Sequence, residues 1–209
     1  MSHPPLPWIV INMAHRTDRM ELLRKAFPDQ EIERFEAIRN EDPEIGCRES
    51  HLAVVRLAKE RGYPWVCILE DDCDPYPEFQ TSFPDVLTYL WNHQDDWEIY
   101  NGGPNPNMTR RHKGNMIVIE DWISAQFIIV NSSIYDKLLA HDDTQPKKID
   151  DYYSTFKTLT STPMLTRQLD TYSDLAKAVT NNIPLFEQSR AKLQIFGGDS
   201  GRGFVAKQK

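Results

Sequence analysis

Long apolar runs are absent from this sequence. No stretch approaches the roughly 20 consecutive apolar residues that a membrane-spanning helix needs, so no transmembrane span is expected. The opening Met1-Ser2-His3-Pro4-Pro5 has no basic region followed by an apolar one, so no secretory signal is visible. Cysteine is scarce. Cys47, Cys67 and Cys73 are odd in number and show no CxxC zinc spacing, and reduced thiols in a cytoplasmic setting are the simplest reading. Basic residues are outnumbered, with 24 Lys and Arg against 31 Asp and Glu and a formal net charge of -7. That balance argues against a protein that grips nucleic acid through its whole surface. Arg16 and Arg19, and the run Arg110-Arg111-His112-Lys113, are the local cationic spots, and the second reads as a solvated loop. Repeats and low-complexity segments are missing too.

What is present suits one globular domain of 209 residues, 40% of them apolar and 26% charged. Aromatics make up 11%, which supplies bulk for a core and flat surfaces for ligands. Trp8 to Met13 is short and β-branched and reads as a buried strand. Thr17 to Phe27 has helical spacing, with Thr17 or Asp18 as cap and Pro28 as stop. Ile32 to Ile38 reads as a strand, and Glu49 to Arg61 as a helix ended by Gly62. Trp65-Val66-Cys67-Ile68-Leu69 is continuously apolar, the pattern of a strand buried on both faces of a largely parallel sheet. Phe83 to Trp91, Ile134 to Ala140 and Asp150 to Leu159 are expected helices. Trp97 to Tyr100, Met116 to Ile119, Ala125 to Val130 and, weakly, Met164 to Gln168 are expected strands. Asn105 to Asn115 reads as a polar loop and 181–209 as a flexible C-terminal tail. Strands alternating with helices predict an α/β fold, a mostly parallel central sheet flanked by helices, with ligands beyond the carboxyl ends of the strands.

The chemistry gathers at Glu70-Asp71-Asp72-Cys73-Asp74, four carboxylates within five residues at the end of the apolar run. Like charges this close raise one another's pKa values, and a divalent cation relieves the repulsion. Oxygen ligands suit magnesium or manganese, which complete their shells with water and substrate phosphates. The alternative is a solvated acidic turn, with Asp74-Pro75 opening the next loop. A thiolate ligand would point to zinc, but Cys73 has no His or second Cys at ligand spacing and reads as a packing residue.

Gly46-Cys47-Arg48-Glu49-Ser50-His51-Leu52, Ala58-Lys59-Glu60-Arg61-Gly62-Tyr63 and Cys67-Ile68-Leu69-Glu70-Asp71-Asp72 together resemble glycosyltransferase family 25, the lipooligosaccharide and collagen galactosyltransferases. Ile11-Asn12-Met13-Ala14-His15-Arg16-Thr17-Asp18-Arg19, Arg34-Phe35-Glu36-Ala37-Ile38, Ile149-Asp150-Asp151-Tyr152 and Ser173-Asp174-Leu175 extend the resemblance in order along the chain. It implies a GT-A glycosyltransferase fold (Rossmann-like), a UDP-sugar donor, manganese or magnesium, and inversion at the anomeric carbon. An oligosaccharide or glycoconjugate would be the acceptor, as in lipopolysaccharide biosynthesis.

On that resemblance Asn12, Arg16, Arg19, Ser50, Glu70 and Asp71 face the nucleotide sugar, and Asp72, Asp74 and Asp174 hold the metal. Asp150 is the general base, with Asp151 second and Asp174 or Glu120 next in line. Each residue has a plainer reading. Arg16, Asp18 and Arg19 make a surface turn, His51 packs beneath the sheet, Asp150 and Asp151 cap a helix, and Trp122 and Tyr152 pack in the core rather than stack on sugars. Two other functions compete: a metal-dependent phosphohydrolase or nuclease, for which no suitable His spacing is visible, and a non-catalytic nucleotide- or glycan-binding module.

Overall fold

The computed structural model describes residues 3–142, 144–173 and 177–198. Its strands are β1 (Trp8–Asn12), β2 (Ile32–Glu36), β3 (Trp65–Glu70), β4 (Cys73–Pro75), β5 (Ile99–Asn101), β6 (Asn105–Lys113), β7 (Met116–Ile123), β8 (Phe127–Asn131), β9 (Thr158–Ser161), β10 (Thr166–Gln168), β11 (Tyr172–Ser173) and β12 (Ala178–Val179). Its helices are α1 (Thr17–Ala26), α2 (Pro43–Glu60), α3 (Phe79–Asn92), α4 (Tyr135–Leu139), α5 (Ile149–Tyr153) and α6 (Ile183–Gly198). Eight strands form one sheet in the order β2-β1-β3-β8-β5-β9-β7-β6. Six of the eight run one way and only β8 and β7 run against them, so the sheet is mixed and mostly of one direction. With helices on both faces this is the expected α/β class, and it fits a GT-A-like fold.

Alternation along the central strands builds the two faces. Ile9, Val66, Ile68, Ile128 and Val130 point to one side, where they meet Val54, Val55 and Ala58 of α2, Leu138 of α4, Tyr153 of α5 and Phe186 and Leu193 of α6. Trp8, Val10, Trp65, Cys67, Leu69, Phe127 and Ile129 point to the other, against Met20 and Leu23 of α1 and Phe79, Phe83, Val86 and Leu90 of α3. Trp8, Phe27, Phe79, Phe83 and Phe127 pack there with ring centroids 4.6 to 6.2 Å apart, within the range for favourable edge and offset contacts. Trp65 to Leu69 are all 0 to 1% exposed, which fixes β3 and whatever extends from its end.

Several boundaries differ from the sequence reading. α2 begins at Pro43, six residues before Glu49, because the Asp42 side chain accepts from Glu44 N (3.0 Å) and proline suits the first turn. α1 is preceded by Arg16 and has no side-chain cap, so neither Thr17 nor Asp18 caps it. The polar segment from Asn105 is strand β6, an edge strand on β7, where side chains facing water need not be apolar. The helix from 150 stops at Tyr153, and Thr158–Ser161 becomes β9 between β5 and β7, which suits its β-branched threonines. Trp122 and Tyr152 are 1 and 2% exposed and pack in the core. Among the described residues no helix is long and apolar enough to cross a membrane.

The largest correction concerns 181–209. Ile183–Gly198 is a helix packed on β6, β7 and β10, anchored by Phe186 (1% exposed), Leu193 (0%) and the Ser189 Oγ to Asn105 Oδ1 bond of 2.7 Å. The rest of that expected tail, 199–209, lies outside the described residues. Leu193→Ala is expected to cost about 2 to 5 kcal/mol, the usual range for a leucine truncated in a core. Ile195→Ala, 72% exposed on the same helix, should stay within about 0.5 kcal/mol of wild type. Urea titration of both variants checks this, and equal effects would argue against the packing of α6.

Candidate functional site

β1 and β3 are parallel neighbours, with Ile11 opposite Glu70, so Asn12 and the acidic residues emerge side by side at their carboxyl ends. Asn12 Nδ2 donates to Asp71 Oδ2 (2.7 Å) and to Arg16 O (3.0 Å), while its Oδ1 accepts from Arg34 Nε (2.8 Å). Arg19, on the first turn of α1, donates Nη1 to Asp71 Oδ1 (2.6 Å) and Nη2 to Thr171 Oγ1 (2.8 Å) and Tyr172 O (2.7 Å). Both oxygens of Asp71 are therefore engaged and its charge is matched by a buried guanidinium. Such charge-assisted pairs are strong where water is excluded. The carboxylate works as the anchor between β1, α1 and β3.

Asp72 sits differently. Its Oδ2 is 3.7 Å from Arg19 Nη1, and its Oδ1 is buried with no hydrogen-bond partner among the described residues. Burial first, then the charges of Glu70 and Asp71, push its pKa up to about 8 against the pull of Arg19. An orphaned buried carboxylate oxygen is rare and calls for a missing proton, water or cation.

Glu70, the last residue of β3, reaches the opposite side of the same space. Its Oε1 is 3.3 Å from His51 Nε2 and 3.9 Å from Cys47 Sγ, and its Oε2 accepts from Gln168 Nε2 at 3.4 Å. Asn12, Arg19, Ser50, Glu70, Asp71 and Asp72, six of the expected residues, line one cavity of about 500 Å³ together with Cys47 and His51. The segment from Ala37 to Glu41 forms its other wall. Gly46 lets α2 approach that wall, since a Cβ there would lie 2.8 Å from Ile38 O. Ser50 completes the lock: its Oγ accepts from Ile38 N (2.8 Å) and donates to Gly46 O (2.7 Å). The serine hydroxyl is thus committed to shaping the pocket.

The remaining expected residues lie elsewhere. Arg16 chelates Asp18 and donates to Tyr172 O (3.2 Å) at the outer side of α1. Asp74 belongs to β4 and is held by Arg167 through Nε and Nη2, both 3.0 Å, so it does not join Asp72 around one centre. Asp150 stands behind Glu70 rather than on the cavity wall. Its Oδ2 accepts from Ser124 N (3.1 Å), and burial followed by the Glu70 charge raises its pKa to about 6. Asp151 is exposed on α5, and Glu120 faces Arg110 at 3.7 Å near the sheet edge. Asp174 lies outside the described residues. His51 is fully buried, as its plainer reading held, yet it forms part of the cavity floor. Sequence reasoning assigned no role to Arg34, Arg167, Gln168 or Thr171. The stretch Arg34-Phe35-Glu36-Ala37-Ile38 was the only signal for any of them.

No family model matches the chain. A curated relative, “Putative glycosyltransferase R655” of Acanthamoeba polyphaga mimivirus, is 30% identical over a stretch covering 38% of this chain and 32% of that protein. The match therefore spans about a third of the relative's length. Among solved structures, A197 from STIV is similar at TM-score 0.46 with 11% identity, covering 79% of this chain and 86% of that one. A glycosyltransferase involved in glycosylation of the major capsid of PBCV-1 is similar at TM-score 0.42 with 10% identity, covering 65% and 64%. At these low scores the structural likenesses carry no functional argument, which rests on the site's own residues and on the partial relationship to the mimivirus protein.

Proposed function

We propose that the chain is a glycosyltransferase whose cavity at the ends of β1 and β3 binds a nucleotide-sugar donor with a manganese or magnesium ion. One observation carries this reading: the buried, unpartnered Oδ1 of Asp72 beside a cavity large enough for a small-molecule ligand. Its neighbour Asp71 is satisfied by Asn12 and Arg19, so the unmet demand for positive charge falls on Asp72. A hard divalent ion there would draw its protein ligand from Asp72 and the rest from water and phosphate oxygens. Bound there, it would stabilise negative charge on a departing diphosphate. Asn12, Met13, His15 and the wall from Ala37 to Glu41 provide a mixed polar and apolar lining for a nucleoside. The fragmentary kinship with the mimivirus protein supports sugar transfer as the chemistry.

Transfer also needs a base for the acceptor hydroxyl. The family 25 resemblance gives that role to Asp150 in an inverting mechanism. Because Asp150 lies behind Glu70, off the wall of the donor cavity, the acceptor hydroxyl would have to reach it from outside that cavity, across the anomeric carbon from the diphosphate. A pKa near 6 leaves Asp150 mostly ionised at neutral pH while keeping it a better proton acceptor than an ordinary aspartate. UDP as the nucleotide, a hexose such as galactose or glucose as the sugar, and a glycan hydroxyl as the acceptor complete the proposal, all three carried by the family 25 resemblance.

Asp72→Ala is expected to weaken manganese-dependent UDP binding by at least the roughly 10-fold that losing even an outer-shell metal partner costs, measured by calorimetry on a variant with wild-type circular dichroism. Unchanged affinity would remove Asp72 from the metal site. In the wild-type protein, metal affinity should rise as pH rises through about 8, because the cation competes with the proton that Asp72 holds below that pH.

Asp150→Asn should lower turnover by roughly a hundredfold or more while leaving metal-dependent UDP binding intact. kcat/KM should rise with pH through about 6, since the base works only once deprotonated. Glu70→Gln should move that acid limb to lower pH, because the Glu70 charge helps raise the Asp150 pKa. Transfer at near wild-type rate in Asp150→Asn, with Asp151→Asn inactive, would shift the assignment by one residue.

A further inference from the structure

We propose that Cys47, His51 and Glu70 form a binding site for a zinc-class divalent cation, with its fourth coordination position opening onto the cavity. The inference is independent of the glycosyltransferase reading and of the oxygen-ligated metal assigned to Asp72. It starts from placement. Cys47 and His51 are four residues apart on α2 and so share one helix face, and that face meets the end of β3 where Glu70 emerges. Sγ of Cys47, a ring nitrogen of His51 and a carboxylate oxygen of Glu70 all lie within 4.8 Å of one another.

The distances suit coordination better than hydrogen bonding. His51 Nε2 to Glu70 Oε1 is 3.3 Å, longer than the roughly 2.7 to 2.9 Å of a good charge-assisted bond. Nitrogen and oxygen ligands each about 2.0 to 2.1 Å from a tetrahedral zinc lie roughly 3.3 Å apart. Sulfur at about 2.3 Å and oxygen at about 2.0 Å in the same geometry lie roughly 3.5 Å apart. Cys47 Sγ is 3.9 Å from Glu70 Oε1 and within 4.8 Å of a ring nitrogen of His51, so the thiol would have to move inward to complete the geometry.

The surroundings complete the pattern. His51 turns its other nitrogen, Nδ1, toward the Tyr153 hydroxyl at 3.4 Å, and the second oxygen of Glu70 faces Gln168 Nε2 at 3.4 Å. Partners of this kind fix ligand orientation at metal sites. Burial, and then the negative charges of Glu70, Asp150 and Asp72, raises the pKa of the thiol well above its usual value. A cation at the sulfur offsets that field and displaces the proton. Thiolate plus imidazole selects zinc over magnesium or manganese. Three protein ligands with one open position is the arrangement of zinc sites that exchange a ligand. Because Cys47, His51 and Glu70 all line the cavity, that open position faces whatever anionic oxygen occupies it.

Cobalt tests the site, since a thiolate bound to Co2+ gives a near-ultraviolet charge-transfer band and a tetrahedral site gives visible bands. The protein, stripped with a chelator and titrated with Co2+ alone, is expected to show both, and one equivalent of Zn2+ should abolish them. Cys67 and Cys73 are 0 and 1% exposed in the core on the opposite face of the sheet, so Cys47→Ser should remove the charge-transfer band. Glu70→Gln should keep that band but weaken Zn2+ binding at least roughly tenfold, measured by chelator competition. Asp72→Ala should keep both band and affinity, which separates this site from the oxygen-ligated one. Circular dichroism confirms that each variant is folded. A wild-type protein without the charge-transfer band, or a band that survives Cys47→Ser, would overturn the proposal.

Discussion

Repulsion among Glu70, Asp71 and Asp72 is the constraint around which this end of the sheet is built. Three carboxylates at the tip of a strand whose preceding residues are almost wholly buried cannot all be ionised without compensation. The compensation is unequal. Asp71 receives Arg19 and Asn12, Glu70 receives the weaker contacts of His51, Cys47 and Gln168, and Asp72 is left with a buried oxygen that has no hydrogen-bond partner among the described residues. The residue whose charge is best matched becomes structural. The one left unmatched, Asp72, is the proposed metal ligand.

The match at Asp71 also holds the neighbourhood together. Through Arg19 it reaches Thr171 and Tyr172 of the segment after β10, and through Asn12 it reaches Arg34 of β2. Three parts of the chain, residues 12–19, 34 and 171–172, are thereby tied to one carboxylate. Beneath them, the aromatic packing of Trp8, Phe27, Phe79, Phe83 and Phe127 keeps β1 and β8 from shifting relative to α1 and α3. Dense packing transmits strain rather than absorbing it, so the strand that carries the acids is held firmly from beneath.

The cavity combines two kinds of donor group. One wall offers a carboxylate oxygen suited to hard cations and phosphate chemistry. The floor offers sulfur and imidazole, which favour softer ions. Glu70 stands between them and acts on both, since its charge raises the pKa of Asp72 and also that of Asp150 behind it. A single strand-end residue thus acts electrostatically on Asp72, Asp150 and the Cys47 thiol.

Features set by local pattern were legible in the sequence. The unbroken apolar run Trp65 to Leu69 followed by acids marked a buried strand delivering carboxylates to a crevice, because burial on both faces leaves no polar position. Alternating strands and helices marked the α/β class for the same reason. Features that depend on a partner distant in the chain were not legible. Asp72 and Asp74 look equivalent in sequence, yet Arg167, 93 residues beyond Asp74, takes the second out of the site. Ser50 reads as a contact to the nucleotide sugar until Ile38 is found beside it. β6 is too polar to announce itself as a strand, and α6, with Pro184 in its first turn, lies in a segment that reads as a tail. The sequence by itself determined which segments are buried and where the acids lie, since hydrophobic periodicity is a property of neighbours along the chain. Only the tertiary structure decided which acid is neutralised, which stays unmatched and which thiol meets a histidine, since charge compensation in a folded protein is settled by contacts across space.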